Sequence, residues 1–302
     1  MRSKVVVFGA GASFGSDTSE TPPLGCNLFD QLAAFDTRGW GSLPNNLANI
    51  FRGDFEEGMK QVWQHNAYIV PVLQRMMAEF FFNFVPRDTN LYVSFARSLK
   101  NDPSSVSLVT FNYERLLELS LSHCGLQPVC NTPTLASNQV EVVFPHGCCH
   151  FFGRGVRGGG TGGVYFTAGA VTTTGTPDVV ADRQEFLQRL QQDAIPPVMS
   201  YFEPDKRTTA CVDFIERQRK RYADVIQAAE IVAIVGLKVR PHDNHIWDPL
   251  KSTTARLLYC SGISAGDEFR RWTSQSRPSC KDKILLGYFR ESLGELCAEL
   301  GL

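Results

Sequence analysis

Nowhere in the chain do two cysteines stand three positions apart, and the nine present follow no regular spacing. That absence removes the paired C-x-x-C knuckles of an ordinary structural zinc. An odd number of cysteines, with Cys148 and Cys149 adjacent, fits free and mostly buried thiols rather than a disulfide framework. No apolar run approaches the ~20 residues of a membrane span, and the run from Lys4 to Phe8 is about half of what a secretory signal core needs. With 30 basic and 31 acidic side chains the formal net charge is −1, which excludes a broad phosphate-neutralising surface. Internal repeats and recognisable linkers are also missing. The expectation is a soluble cytoplasmic protein without membrane contact, direct nucleic-acid binding or a metal.

Apolar material, by contrast, is present in ordinary globular amount. Hydrophobic residues make up 43% and charged residues 20% of 302 positions, enough for one large α/β domain with a sizeable core. The β-branched run Lys4 to Phe8 reads as a buried parallel strand, and it leads into Gly9, Ala10, Gly11, Ala12 and Ser13. Small residues at a strand's carboxyl end permit a sharp turn and let a pyrophosphate approach backbone N–H groups. The glycines fall at positions 9, 11 and 15, so the spacing departs from G-x-G-x-x-G. On its own this turn reads equally as a nucleotide contact or as a tight turn.

Further along, Ser16 to Gly25, with Pro22 and Pro23, is a long loop of the kind that covers ligands. A helix resumes from Asn27 to Leu32. Between about residues 40 and 100 the pattern is helical: Phe51, Phe55, Met59 and Val62 recur at intervals of three and four, and Tyr68 to Phe84 is a long apolar stretch. We read this insertion as packing rather than a cofactor box. Val106 to Phe111 is a second strand, ending at Asn112, Tyr113, Glu114 and Arg115 before a leucine-rich helix. Val140 to Phe144 is a third, stopping at Pro145, His146 and Gly147. Residues 153–163 form a flexible glycine-rich loop whose Arg154 and Arg157 are either solvated or phosphate-facing. Helices are expected over Asp182 to Gln192 and Phe214 to Gln227. Ala228 to Gly236 is the clearest buried strand of the second half, followed at once by Lys238, Arg240, His242, Asp243, Asn244 and His245. Ala255 to Cys260 and Lys283 to Phe289 look like later strands, and Arg290 to Leu302 a closing amphipathic helix.

The carboxyl ends of parallel strands share one rim, so Gly9 to Ser13, Asn112 with Glu114, His146, and Gly236 with Asp243 converge in an α/β sheet although scattered in sequence. Each also has an ordinary structural reading: Asn112 as a helix cap, His146 as a turn residue, Asp243 as a cap. Taken together and in this order, the Gly9-Ala-Gly-Ala-Ser13, Thr110-Phe-Asn-Tyr-Glu114 and Pro145-His-Gly147 motifs resemble the sirtuin superfamily. The resemblance covers essentially the whole chain but rests on about four short motifs. It departs from the deacylases in lacking the zinc module and in having Glu114 where they usually have Asp. Among sirtuin-like proteins the chain looks most like the NAD hydrolases of bacterial anti-phage defence.

That resemblance implies a single Rossmann-like, doubly wound parallel sheet over residues 1–302 with a helical insertion and no zinc module. It also implies an NAD+ hydrolase that depletes NAD in abortive infection, with NAD as substrate and no metal. Asn112 would position the ribose and the attacking water, and His146, titrating near neutrality, would act as base. Gly9, Ala10, Gly11, Ala12, Ser13 and Gly236 would hold the dinucleotide, Asp17 or Glu114 the carboxamide, and Asp243 the adenosine ribose. A homo-oligomer, a separate sensor protein, or a covering loop at 16–25 or 153–163 would restrain it. The alternatives are an NAD-dependent protein deacylase and a non-catalytic NAD or ADP-ribose sensor.

Overall fold

The computed structural model describes residues 4–130, 134–154, 164–167, 170–201, 206–240, 243–278 and 280–302. Its strands are β1 (Lys4–Phe8), β2 (Val106–Thr110), β3 (Gln127–Val129), β4 (Gln139–Val143), β5 (Phe151–Phe152), β6 (Val164–Thr167), β7 (Ala170–Thr173), β8 (Asp178–Val179), β9 (Ile231–Val235), β10 (Arg256–Cys260) and β11 (Lys283–Ile284). The helices are α1 (Ala10–Ser13), α2 (Gly25–Phe35), α3 (Asn45–Gly53), α4 (Phe55–Asn66), α5 (Val70–Phe82), α6 (Leu91–Ser98), α7 (Leu116–His123), α8 (Arg183–Gln192), α9 (Val212–Ala228), α10 (Asn244–Ser252), α11 (Ile263–Ser276) and α12 (Phe289–Leu300).

Seven strands form one sheet in the order β11-β10-β9-β1-β2-β4-β3, and every neighbouring pair is parallel. The expected doubly wound α/β fold is therefore present. Side chains alternate across a strand, and both faces of β1 are covered. Val5 and Val7 join a core with Tyr222 of α9, Trp247 of α10 and Phe269 of α11. Val6 and Phe8 face the other core, with helices α2 to α7 and α12. Burial on both sides is why β1 reads as a continuous apolar run.

Register sets the rim. Phe8 stands opposite both Thr110 of β2 and Val235 of β9, and Val109 stands opposite Val143 of β4. The chain leaves these four strands at one level. The order of strands reverses about β1, which places a topological switch point, the usual ligand crevice of open α/β sheets, beside it.

The Met- and Phe-rich stripe of the insertion is core, as its spacing predicts. Trp40 is fully buried, donates Nε1–H to Leu73 O at 3.0 Å and packs edge-on to Phe51 at 5.4 Å. Some boundaries differ from the sequence reading. Ala228 closes α9 and the strand begins only at Ile231, because Ala229 and Glu230 make the turn into the sheet. The Lys283 to Phe289 run is a strand only over Lys283–Ile284, since Gly287 at φ 108° turns the chain into α12. Tyr68 lies exposed in a short 3-10 turn ahead of α5, which starts with Pro71 in its first turn. Of the glycine-rich loop, residues 155–163, including Arg157, lie outside the described residues, whereas Arg154 pairs with Asp178 at 2.6 Å. Among the described residues no helix is long and apolar enough to cross a membrane.

The turn after β1 packs closely against the end of β9. Gly9 N–H donates to Val235 O at 2.9 Å, and Gly11 N–H to Gly236 O at 2.8 Å. Gly236 has φ +66°, and a Cβ there would lie 1.9 Å from Ala12 N. Gly125 also has positive φ, at +78°, but nothing stands within 4 Å of its missing Cβ. Gly236→Ala should therefore destabilise the protein by about 3 kcal/mol or more, through conformation and clash together, and Gly125→Ala by only about 1–2 kcal/mol through conformation alone. Urea denaturation of the two variants checks this; equal losses would show that the contact with Ala12 is not what selects glycine at 236.

Candidate active site

The turn after β1 buries Ser13, and Ser13 organises a polar knot. Its hydroxyl donates to Glu114, lies 2.9 Å from the Tyr92 hydroxyl and accepts from Asn112 Nδ2 at 2.9 Å. The same Asn112 amide nitrogen reaches Gly9 O at 3.1 Å, so it ties the end of β1 to the segment following β2. The second carboxylate oxygen of Glu114 accepts from Leu116 N–H at 2.7 Å, at the first residue of α7. Glu114, not Asn112, thus supplies the side chain that meets the start of that helix. Asn112 Oδ1 accepts no hydrogen bond among the described residues. Burial raises the Glu114 carboxyl, opposed by the bonds from Ser13, Leu116 and Asn112. Burial, reinforced by the Glu114 charge, also pushes the Tyr92 hydroxyl well above its ordinary value.

The two aromatic residues flanking Asn112 both hold His146. Phe111 meets its ring edge-on at 4.9 Å and Tyr113 stacks on it at 5.9 Å. His146 Nε2 lies 2.8 Å from Nε2 of His245, carried at the second residue of α10. Burial first, and then the nearby Lys206, His245 and Arg219, depress His146 well below the usual imidazole range. Burial together with Arg219 and Lys206 brings His245 down to about 4. The expectation that His146 titrates near neutrality is therefore corrected: it is a neutral imidazole at pH 7. One ring of the pair carries the Nε2 proton and the other accepts it.

Basic groups border this pair. Lys206, buried, pairs with Glu56 at 2.7 Å, and Arg240 shares the same carboxylate at 3.1 Å. Arg219 donates to Pro145 O, Ser200 Oγ and Lys206 O. Lys206 and Arg219 both bear on the histidine pair, and among the described residues Lys206 and Arg240 share the Glu56 carboxylate.

The structure thus joins Gly9, Gly11, Ala12, Ser13, Asn112, Glu114 and Gly236 through hydrogen bonds and close contact, and it links His146 to them through Phe111 and Tyr113. Ala10 is exposed at the start of α1. Asp243 sits buried at the start of α10, its carbonyl accepting from Ile246 and Trp247, so it fixes the helix that delivers His245. Asp17 is engaged elsewhere: it accepts from Thr18 N–H at 2.8 Å and from the Thr89 hydroxyl at 3.1 Å. Burial raises its carboxyl, but these bonds outweigh it and the net shift is downward. With Leu91 N–H on Ser16 O and Arg87 on Ser19 Oγ, the first half of the 16–25 loop is anchored to the insertion.

Tyr92, Lys206, Arg219 and the pairing of His245 with His146 escaped the sequence reading. Only His245 left a trace there, as one of the polar residues after Gly236. The other three stand far from any strand end, and no local pattern marks them.

No protein-family model matches the chain, and no curated protein matches it. It is similar to solved sirtuin structures. One, from a study of the structural basis of sirtuin substrate affinity, is 14% identical, with 100% of this chain and 95% of that one covered and a TM-score of 0.46. Sir2 bound to acetylated peptide is 14% identical over 91% of this chain and 93% of that one, with a TM-score of 0.40. A Sir2 homologue in complex with NAD is 15% identical over 91% and 90%, with a TM-score of 0.40. These are distant likenesses.

The histidine pair has a pH signature. His245 is held at about 4 when folded against 6.5 ordinarily, so the unfolded chain takes up the proton first. Its contribution to stability is full above the ordinary value and is lost as pH falls toward the folded one. His245→Gln removes that proton uptake while keeping a hydrogen-bonding group beside His146, with Glu56, Lys206 and Arg219 unchanged. The melting temperature of the variant should fall less steeply between pH 6.5 and pH 4.5 than that of the wild type. Parallel curves would contradict a depressed His245.

Proposed function

We propose that the chain is an NAD+ hydrolase that cleaves the nicotinamide–ribose bond to give nicotinamide and ADP-ribose. One observation carries the reading: the Asn112 amide bridges Gly9 and Ser13 at the end of β1, while its neighbours Phe111 and Tyr113 hold His146. A small-residue turn, an amide and an imidazole then share the rim at the switch point of a parallel sheet. The sirtuin-like motifs supply the identity of the dinucleotide.

The chemistry suits these groups. The nicotinamidium of NAD+ leaves as neutral nicotinamide, through an oxocarbenium-like state that needs positioning and desolvation more than acid help. Water adds to the anomeric carbon, and one proton is released. Asn112 Oδ1 is free to orient that water or a ribose hydroxyl. His146 is neutral, and its Nε2, once it exchanges its contact with His245 for the reacting group, takes the proton as the bond to oxygen forms. Because the N–H groups of Gly9 and Gly11 are donated to Val235 and Gly236, the glycines contribute close approach, and the exposed Ala10 side of the turn faces the pyrophosphate. Asp243 serves the adenosine ribose and Glu114, through Ser13, the carboxamide edge, whereas Asp17 is engaged with Thr18 and Thr89 and is left out of the site.

On this reading the protein is a cytoplasmic, NAD-depleting effector of anti-phage defence, held in check by self-association or by a separate sensor protein. The chemistry motivates the restraint, since an uncontrolled NAD hydrolase would harm its own cell.

Following NAD during incubation with the purified chain, with and without an acetylated peptide, tests the proposal. Nicotinamide and ADP-ribose should form without peptide, and Asn112→Ala and His146→Ala should each lower the rate by about 100-fold or more. Losing the Asn112 amide also leaves buried acceptors unmet at about 1–3 kcal/mol, so melting temperatures are compared alongside. Acetyl-ADP-ribose formed only with peptide would establish a deacylase instead, and NAD binding without turnover would establish a sensor.

A further inference from the structure

Beneath the rim lies a second polar cluster that the proposed reaction does not use. Cys148, Cys149 and His150 are all buried, and one donor atom from each lies within 4.8 Å of the other two. Consecutive residues on a strand would point to opposite faces. Here the chain turns at Gly147, with φ +75°, which lets three neighbours meet. Glu118 of α7 reaches in from the side: its Oε1 is 3.5 Å from Cys148 Sγ and 3.9 Å from His150 Nε2. Among the described residues the buried His150 Nδ1 and Glu118 Oε2 have no hydrogen-bond partner, a cost of about 1–3 kcal/mol each that a folded protein rarely leaves standing without reason.

We propose that Cys148, Cys149 and His150 bind one Zn2+ ion, with the Glu118 carboxylate as the fourth donor. Two thiolates, an imidazole and a carboxylate form a zinc-type set, softer than magnesium or calcium accept. Zinc–sulfur bonds near ~2.3 Å and zinc–nitrogen bonds near ~2.0 Å set tetrahedral donors roughly 3.3–3.8 Å apart. The side chains need close in by only about 1 Å to reach that spacing. Charge balances as well: the ion with two thiolates and a carboxylate carries one negative charge, and Arg115 supplies the opposite one. Arg115 interacts electrostatically with Cys148, Cys149 and Glu118, while its hydrogen bonds go to the carbonyls of Phe82 and Ala181. Its buried guanidinium thus gains an anionic counterpart when the ion is in place.

The backbone holds the donors in position. Cys148 N–H donates to Val198 O at 3.0 Å, Cys149 N–H to Tyr113 O at 2.8 Å, and Val180 N–H to His150 O at 2.9 Å. The ion would join the segment just after His146 to the helix just after Asn112, locking both sides of the rim from below. Because the cluster is closed, metal enters as the chain folds. This site has no C-x-x-C pair, which is why the sequence reading expected no metal.

The test uses the full chain produced in zinc-supplemented cells and purified under reductant in chelator-treated buffer. Metal content is measured by mass spectrometry, and release by a thiol-reactive mercurial is followed with a zinc dye. About one zinc per chain is expected, lost to below about a tenth in the Cys148→Ser/Cys149→Ser double variant and retained in Cys26→Ser. Cobalt supplied in place of zinc should give thiolate-to-metal charge-transfer and tetrahedral visible bands in the wild type. The wild-type measurements do not depend on any variant folding. Wild-type protein with less than a tenth of an equivalent of zinc, zinc retained in the double variant, or Cys148 and Cys149 found joined as a disulfide would each overturn the proposal.

Discussion

The structure depends on how closely the turn after β1 approaches the end of β9. Parallel pairing of β1 with both β2 and β9 brings three strand ends to one level. The missing Cβ at Gly236 lets the Gly9 to Ala12 backbone settle against it with two hydrogen bonds. Everything polar at the rim is hung from that contact. Ser13 is buried because the turn is tight, and a buried hydroxyl must be satisfied, so Asn112, Glu114 and Tyr92 gather around it.

Burial then decides the chemistry. A histidine at a strand end in water would titrate within the physiological range. His146 is instead enclosed by Phe111, Tyr113 and His245, and its burial together with Lys206, His245 and Arg219 disfavours the imidazolium more than the hydrogen bond to the Phe111 backbone favours it. Lys206 and Arg240 in turn share the Glu56 carboxylate.

The rim and the cluster below it are two faces of one piece of chain. Residues 112–118 give Asn112 and Glu114 to the upper knot and Arg115 and Glu118 to the lower one. Residues 146–150 give His146 above and Cys148, Cys149 and His150 below. Tyr113 O accepts from both Cys149 N–H and Cys148 Sγ, so a shift in either layer is felt in the other. Tight packing of this kind transmits small displacements rather than absorbing them.

How much of this could be read from the residues alone follows from range. The apolar, β-branched stretches at Lys4 to Phe8, Val106 to Phe111 and Ala228 to Gly236 reveal their strands, though not every boundary, because burial on two faces demands largely hydrophobic sequence. The small residues after β1 and the polar residues after β2 and β4 reveal a rim because strand ends in a parallel sheet must face one way. The insertion's Phe and Met spacing likewise declares its packing face. What needed the fold was every relation between segments distant in the chain. The Ser13 to Tyr92 contact spans 79 positions and the His146 to His245 contact 99, and no local periodicity encodes either. Protonation lay out of reach for the same reason, since it is set by the surroundings of a side chain and not by its type. Local sequence determines where the chain runs straight, turns and hides its apolar faces; only tertiary structure decides which polar groups meet in the dark, and with what charge.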